Sequence, residues 1–204
     1  SAFAHLEIRG LEPLKGIRTN VIFAANHSSE FDVFMLPGSL PFLSRFSPIF
    51  YTSREKEFYK NAGWRQMFYG GAFFKAWGAY PVIAGLKDYE QSMISLTKIV
   101  NDGGNMLIFP EGGTTKDGNF RPAKRGVAYL AHVTRKPIVP VYLSGTFKLS
   151  LSGLLSRRQK LAIVFGEPID VDSHSGMILS LDDYKTQADN LMAVLNSMKS
   201  SLAV

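Results

Sequence analysis

The sequence predicts an α/β domain with a largely parallel or mixed central sheet flanked by helices. Three observations carry that expectation. Short apolar runs bounded by Gly, Pro, Asn or Ser recur along the chain, stretches of helical period lie between them, and polar turns follow the ends of several runs. No repeat, low-complexity segment or linker-like stretch divides the chain, so a single domain over 1–204 is expected.

The strand candidates are, in order, 20–25 (NVIFAA), 48–53 (PIFYTS), 79–83 (AYPVI), 105–109 (NMLIF), 138–143 (IVPVYL) and 161–165 (LAIVF). Each is apolar almost throughout, which is the pattern of a strand buried on both faces. Between the third and fourth, Leu86, Tyr89, Met93, Leu96 and Val100 recur at steps of three and four, and Asn101-Asp102-Gly103-Gly104 stops that helix. A second helix is expected over 123–134, closed by Arg135-Lys136-Pro137. A third is marked by Leu181, Tyr184, Ala188, Leu191, Val194 or Leu195, and Met198, and places a C-terminal helix at about 180–200.

Composition limits the function classes. A hydrophobic fraction of 46% with interspersed charges of both signs is globular. Cysteine is absent, which removes disulfides, a thiol nucleophile and thiolate metal sites. The longest uncharged run, 33–44, is broken by Pro37 and Pro41 and is too short to span a bilayer. The N-terminus lacks the basic, apolar, small-residue order of a signal peptide. These features read as a soluble or surface-bound domain, whether whole or part of a longer protein. The net charge of +6 suits an anionic partner such as acidic lipid headgroups, a phosphorylated substrate or an acidic carrier protein. The basic residues are scattered and no recognition-helix or RNA-binding signature occurs, so no nucleic-acid partner is expected.

Ligands of open α/β sheets sit beyond the carboxyl ends of the strands. Three polar segments occupy that position: Asn26-His27-Ser28-Ser29-Glu30-Phe31-Asp32, Pro110-Glu111-Gly112-Gly113-Thr114-Thr115, and Ser144-Gly145-Thr146. Each has a plain structural reading. Ser28, Ser29 or Asp32 caps the following helix, and the Glu111-Gly112-Gly113 segment is a glycine turn. The functional reading makes His27 a general base. Asp32, five positions on, is rotated about 140° from His27 in a straight helix. With His27 in the turn and Asp32 in the first helical turn, the carboxylate reaches one ring nitrogen and leaves the other for a proton. Other chemistries lack their signatures. There is no G-x-S-x-G elbow. The glycine spacing from Gly113 to Gly118 resembles a phosphate loop, but Asn119-Phe120 replaces Lys-Ser/Thr. His5, His27, His132 and His174 are far apart in sequence, so no metal site is expected.

Five blocks in order resemble the glycerolipid acyltransferase family of the 1-acylglycerol-3-phosphate acyltransferase (PlsC-like) type. They are the N-H-x-x-x-x-D segment from Asn26 to Asp32, Gly78-Ala79-Tyr80-Pro81-Val82, Phe109-Pro110-Glu111-Gly112-Gly113-Thr114, Lys124-Arg125-Gly126-Val127-Ala128, and Pro137-Ile138-Val139-Pro140-Val141. Phe165-Gly166-Glu167-Pro168-Ile169 matches a late strand and turn. The resemblance runs over about 20–170 and implies the glycerol-3-phosphate acyltransferase-like fold. It also implies that His27 deprotonates an acceptor hydroxyl that attacks an acyl thioester on coenzyme A or acyl carrier protein, with Asp32 orienting His27. No metal or redox cofactor is implied. Glu111, Gly112, Gly113 and Thr114 are implied to hold the headgroup of a lysolipid acceptor. The implied setting is cytoplasmic and peripheral, at an anionic membrane surface.

Two departures bear on the acceptor. Family members that act on phosphate-bearing acceptors carry an arginine just after the G-A-Y-P-V block and another in the E-G-T-R position. Neither is present here, which leaves Lys87, Lys116, Lys124 and Arg125 as the available charges and a phosphate-free lysolipid as a rival acceptor. The aromatic stretch 64–77 (WRQMFYGGAFFKAW) reads either as an acyl-chain or membrane-facing wall or as a core helix with a Gly-Gly break.

Overall fold

The computed structural model describes residues 5–41, 43–54, 79–82, 89–149, 160–170 and 179–202. Its elements are β1 (His5–Arg9), α1 (Glu12–Lys15), β2 (Ile22–Ala25), α2 (Asp32–Ser39), β3 (Ile49–Arg54), β4 (Ala79–Val82), α3 (Tyr89–Asn101), β5 (Asn105–Ile108), α4 (Gly126–Thr134), β6 (Ile138–Ser144), β7 (Lys160–Phe165) and α5 (Leu181–Leu202). The strands form one seven-stranded sheet in the order β1-β7-β6-β2-β5-β3-β4. The sheet is mixed: β6 and β7 pair antiparallel, and every other neighbour pair is parallel.

The apolar strand runs follow from where the strands lie. β2 is central, with Ile22, Phe23 and Ala24 opposite Met106, Leu107 and Ile108 of β5, and Ile22 to Ala25 opposite Ile138 to Val141 of β6. All four of its residues are buried. Alternate side chains enter different cores. Phe23 and Ala25 pack with Leu14, Met35, Leu36 and Phe46 on the face covered by α1 and α2. Ile22 and Ala24 pack with Met93, Leu96, Val127, Leu130 and Leu191 on the face covered by α3, α4 and α5. A strand with a core on each side has no solvent face to make polar.

Four elements differ from the sequence expectation. β1 and α1 were not expected: β1 is an edge strand with exposed Glu7, Ile8 and Arg9, so its sequence carries no buried-strand run. α4 begins at Gly126 and not at Ala123, because the amides of Arg121 and Lys124 are engaged by Glu111 and by the Pro110 carbonyl at 2.7 and 2.8 Å. On α5 the core takes Leu195 in place of Val194, and Leu181 is 50% exposed. Leu86 lies outside the described residues.

Candidate active site

β2, β5 and β6 run parallel, so their carboxyl ends open onto the same edge of the sheet. Asn26 fixes the first turn there. Its side chain donates to the Leu143 carbonyl at 2.9 Å and accepts from the Leu143 amide at 2.7 Å, continuing the β2–β6 ladder by one residue. The chain leaves the sheet at His27 and enters α2 at Asp32.

His27 and Asp32 meet. Nδ1 of His27 lies 2.9 Å from Oδ2 of Asp32. The same oxygen accepts the backbone amides of Ser28 and Ser29 at 2.6 and 2.8 Å. Asp32 is completely buried. A buried carboxylate accepts, so the imidazole proton resides on Nδ1 and Nε2 is left as the basic nitrogen. Three donors and the N-terminus of α2 hold the negative charge in place. The imidazole stacks on Phe109 with centroids 3.9 Å apart and planes 14° apart, which fixes the ring plane as Asp32 fixes its edge. Its side chain stays 16% exposed.

Glu111 lies beneath this turn. It is 1% exposed, and its two oxygens accept the amide of His27 at 2.8 Å and the amide of Arg121 at 2.7 Å. Burial raises its pKa above the ordinary 4.5, against the lowering effect of those two amides and of the charges on His27 and Arg121. The sequence expectation placed Glu111 on the acceptor headgroup. In the structure both oxygens face backbone amides inside the protein, so Glu111 joins the β2 turn to the β5 turn. Thr115 adds a second tie, its amide donating to the His27 carbonyl at 2.9 Å.

The remaining candidates separate. Gly112 has φ +68°, and a Cβ there would lie 2.8 Å from Cδ and Cε of Lys124; the lysine stem lies directly over the glycine turn. Lys124 therefore stands at the site. Arg125 turns away, with Nη2 3.4 Å from Asp182 of α5. Lys116 and Thr114 are exposed, and Gly113 is half-buried in the same turn. Lys87 and the aromatic stretch 64–77 lie outside the described residues. In the third polar segment Gly145, at φ +84°, packs on the Lys160 carbonyl and Thr146 is fully buried; Phe147, just beyond it, lies against Gly118. Three residues carry the geometry without having been singled out in the sequence: Asn26 in its bidentate role, Phe109 as a stacking floor, and Arg121. Asn26 and Phe109 lie inside the recognised blocks, which is the one signal they offered.

Among the described residues no three side chains of His, Asp or Glu assemble as metal donors would. Nδ1 of His27 is held by Asp32, and among the described residues no hydrogen bond to Nε2 is found, an arrangement that can accept a proton.

A family model described as "Acyltransferase" matches residues 5–144. A chloroplastic 1-acyl-sn-glycerol-3-phosphate acyltransferase of Brassica napus is 29% identical over 154 residues, covering 74% of this chain and 40% of that protein. A 1-acyl-sn-glycerol-3-phosphate acyltransferase of Limnanthes alba is 26% identical over 181 residues, covering 88% and 59%. One of Bacillus subtilis is 29% identical over 153 residues, covering 72% and 66%. The chain thus spans between 40% and 66% of the length of these relatives. The crystal structure of the 1-acyl-sn-glycerophosphate (LPA) acyltransferase PlsC from Thermotoga maritima superposes with a TM-score of 0.63 at 19% identity, covering 97% of this chain and 74% of that one, and shares the fold.

Proposed function

This chain belongs to the acyltransferase family, and from that premise we propose that it moves a fatty acyl group from an acyl thioester to the free hydroxyl of 1-acyl-sn-glycerol-3-phosphate, in phospholipid synthesis. The observation that carries the proposal is the 2.9 Å contact between Nδ1 of His27 and Asp32, which leaves Nε2 open. Nε2 takes the proton of the acceptor hydroxyl as its oxygen attacks the thioester carbonyl carbon. The tetrahedral intermediate collapses with cleavage of the C–S bond, and the proton on Nε2 passes to the departing thiolate. The imidazolium formed between these steps is stabilised by the buried Asp32 carboxylate. Coenzyme A and acyl carrier protein are the two donor classes that present such a thioester. A lipid-binding module without catalysis has no use for a buried carboxylate clamped to an imidazole.

The acceptor follows from the names of the three curated relatives. Lys124, lying over Gly112, is a cation at the turn. Lys124→Ala should raise the KM for 1-acyl-sn-glycerol-3-phosphate by about 10- to 100-fold, since a charge-assisted hydrogen bond contributes roughly 1.5–3 kcal/mol. Arg125→Ala, whose guanidinium faces Asp182, should leave that KM unchanged. The test is a transfer assay with labelled acyl-CoA and acyl carrier protein donors, comparing this acceptor with a phosphate-free lysolipid. Equal use of both acceptors, with Lys124→Ala affecting both alike, would replace the phosphate acceptor with a phosphate-free one.

The site works on a membrane lipid, and we place the protein at the cytoplasmic membrane surface as a peripheral protein. Among the described residues no helix is long and apolar enough to cross a membrane, and the net charge is +6. Binding to vesicles should rise with anionic lipid content and weaken as salt approaches roughly 0.15 M, where the Debye length is about 8 Å. Equal sedimentation with neutral and anionic vesicles at low salt would remove the electrostatic contribution.

A further inference from the structure

His27 meets a carboxylate at its edge and an aromatic ring at its face. Phe109 directly follows β5, and the register that sets Ala24 opposite Ile108 places it beside Ala25, two residues before His27. It is 7% exposed and belongs to the core under α1 and α2, so packing holds its ring. Its carbonyl accepts the Gly112 amide at 3.0 Å, which ties the same residue to the glycine turn. The His27 ring lies on the Phe109 ring with centroids 3.9 Å apart and planes 14° apart.

Neutral rings in this molecule meet differently. Phe23–Phe46, Phe23–Phe165, Phe120–Tyr142 and Tyr129–Tyr184 are edge-on pairs, with centroids 5.6 to 6.3 Å apart. The His132 ring lies 5.6 Å from that of Tyr184 and is tilted by 53°. Edge-on and offset contacts suit neutral pairs because the negative faces of two rings repel. A cation over a ring face is attracted by the same quadrupole, more strongly where water is excluded. Close, near-parallel stacking is therefore the arrangement that gains when an imidazole becomes an imidazolium. The His27 side chain is only 16% exposed, which keeps solvent screening low.

We infer that Phe109 is a positioning residue with an electronic role: its ring face stabilises the imidazolium formed on His27 between deprotonation of the acceptor hydroxyl and protonation of the departing thiolate. Phe109 acts beside Asp32 and not through it. Asp32 holds the Nδ1 edge with a full charge, while the ring covers one face with a weaker field. Two further charges stand at the turn. Glu111 has both oxygens engaged by the backbone amides of His27 and Arg121. Lys124, over Gly112, opposes a second cation. The ring strengthens the base without adding another carboxylate to a buried turn. The catalytic consequence rests on the acyl-transfer reading above; the contact between ring and imidazolium does not.

The test replaces Phe109 in the full chain with monofluoro-, difluoro- and trifluorophenylalanine. Each fluorine withdraws electron density from the ring face and changes the ring's volume little. The pH at which His27 takes up its proton is read without substrate, by NMR of its ring hydrogens, assigned against His27→Ala. That pH should fall stepwise, by about one unit over the series. At a pH where the base is unprotonated, kcat should fall in parallel by roughly three- to tenfold, with the KM of donor and acceptor unchanged. Phe109→Leu keeps an apolar floor without a ring face, and should lose at least as much in both readouts. The same fluorinated series at Phe165, in the same core and edge-on to Phe23, should move neither. Melting temperatures within a few degrees of wild type show that the proteins are folded. Proton uptake indifferent to fluorination of Phe109, or equal shifts from the Phe165 series, would overturn the inference. Acyl transfer that continues in that case would leave the acyl-transfer reading standing. A stepwise fall in a protein that transfers no acyl group would support the contact between ring and imidazolium and remove that reading.

Discussion

His27→Ala should lower kcat by about 10,000-fold, the upper end of what a general base contributes, equivalent to roughly 5.4 kcal/mol of barrier. The fold should survive. The imidazole stands at a turn, and its removal takes away the Phe109 stack and one hydrogen bond to Asp32, while the amides of Ser28 and Ser29 continue to hold the carboxylate. A loss of about 1–2 kcal/mol is expected, which in a domain of this size is a few degrees of melting temperature. Asp32→Asn is the more discriminating variant. The amide oxygen still serves the two serine amides, but the charge that stabilises the imidazolium is gone, and an NH₂ group enters buried space. Its kcat should fall by roughly 10²- to 10⁴-fold. Single-turnover transfer from labelled acyl thioester, with melting curves on the same preparations, reads both effects. Wild-type turnover in His27→Ala would end the proposed mechanism.

Glu111→Gln should both destabilise and slow the enzyme. Each oxygen of Glu111 faces a backbone N–H. In glutamine one of those positions becomes a donor, so either the His27 or the Arg121 amide meets another N–H in a buried site, at a cost of about 1–3 kcal/mol. The His27 turn then loses its anchor, and kcat should fall by roughly 10- to 100-fold from misplacement of the base. The pH dependence has a definite sign. Burial raises the folded-state pKa of Glu111 above 4.5, so the folded protein binds this proton more tightly than the unfolded chain does. Its contribution is therefore fully present below pH 4.5 and is lost as pH rises through the raised value. The stability advantage of wild type over Glu111→Gln should be largest in acid and shrink towards neutrality. Urea unfolding at several pH values measures it; an advantage that grows with pH would contradict a raised pKa.

The strands of the sheet centre were legible because burial on two faces leaves a continuous apolar run, as in IFAA of β2 and NMLI of β5. β1 was not, since HLEIR alternates at an exposed edge. Within the site, the meeting of His27 and Asp32 was legible from a spacing of five residues across a turn and a helix start. The orientation of Glu111 was not. Its partners are backbone amides 84 and 10 residues away, and backbone amides carry no residue identity for a motif to record. Arg125 shows the same limit: its partner Asp182 is 57 residues downstream on α5, and local pattern placed the guanidinium at the acceptor instead.

The position of β2 also dictates when the His27 turn is completed. Its hydrogen-bonding partners are β5 and β6, which follow it in the chain by some eighty and more than one hundred residues. A nascent chain therefore carries the future His27 turn on a strand whose first partner, β5, is complete only once synthesis has passed Ile108, and whose second, β6, only once it has passed Ser144. The turn is complete only when β6 brings Leu143 to it, after β5 has brought Glu111. A chain stopped before Ile138 contains His27, Asp32 and Glu111 but lacks the β6 partner of their turn.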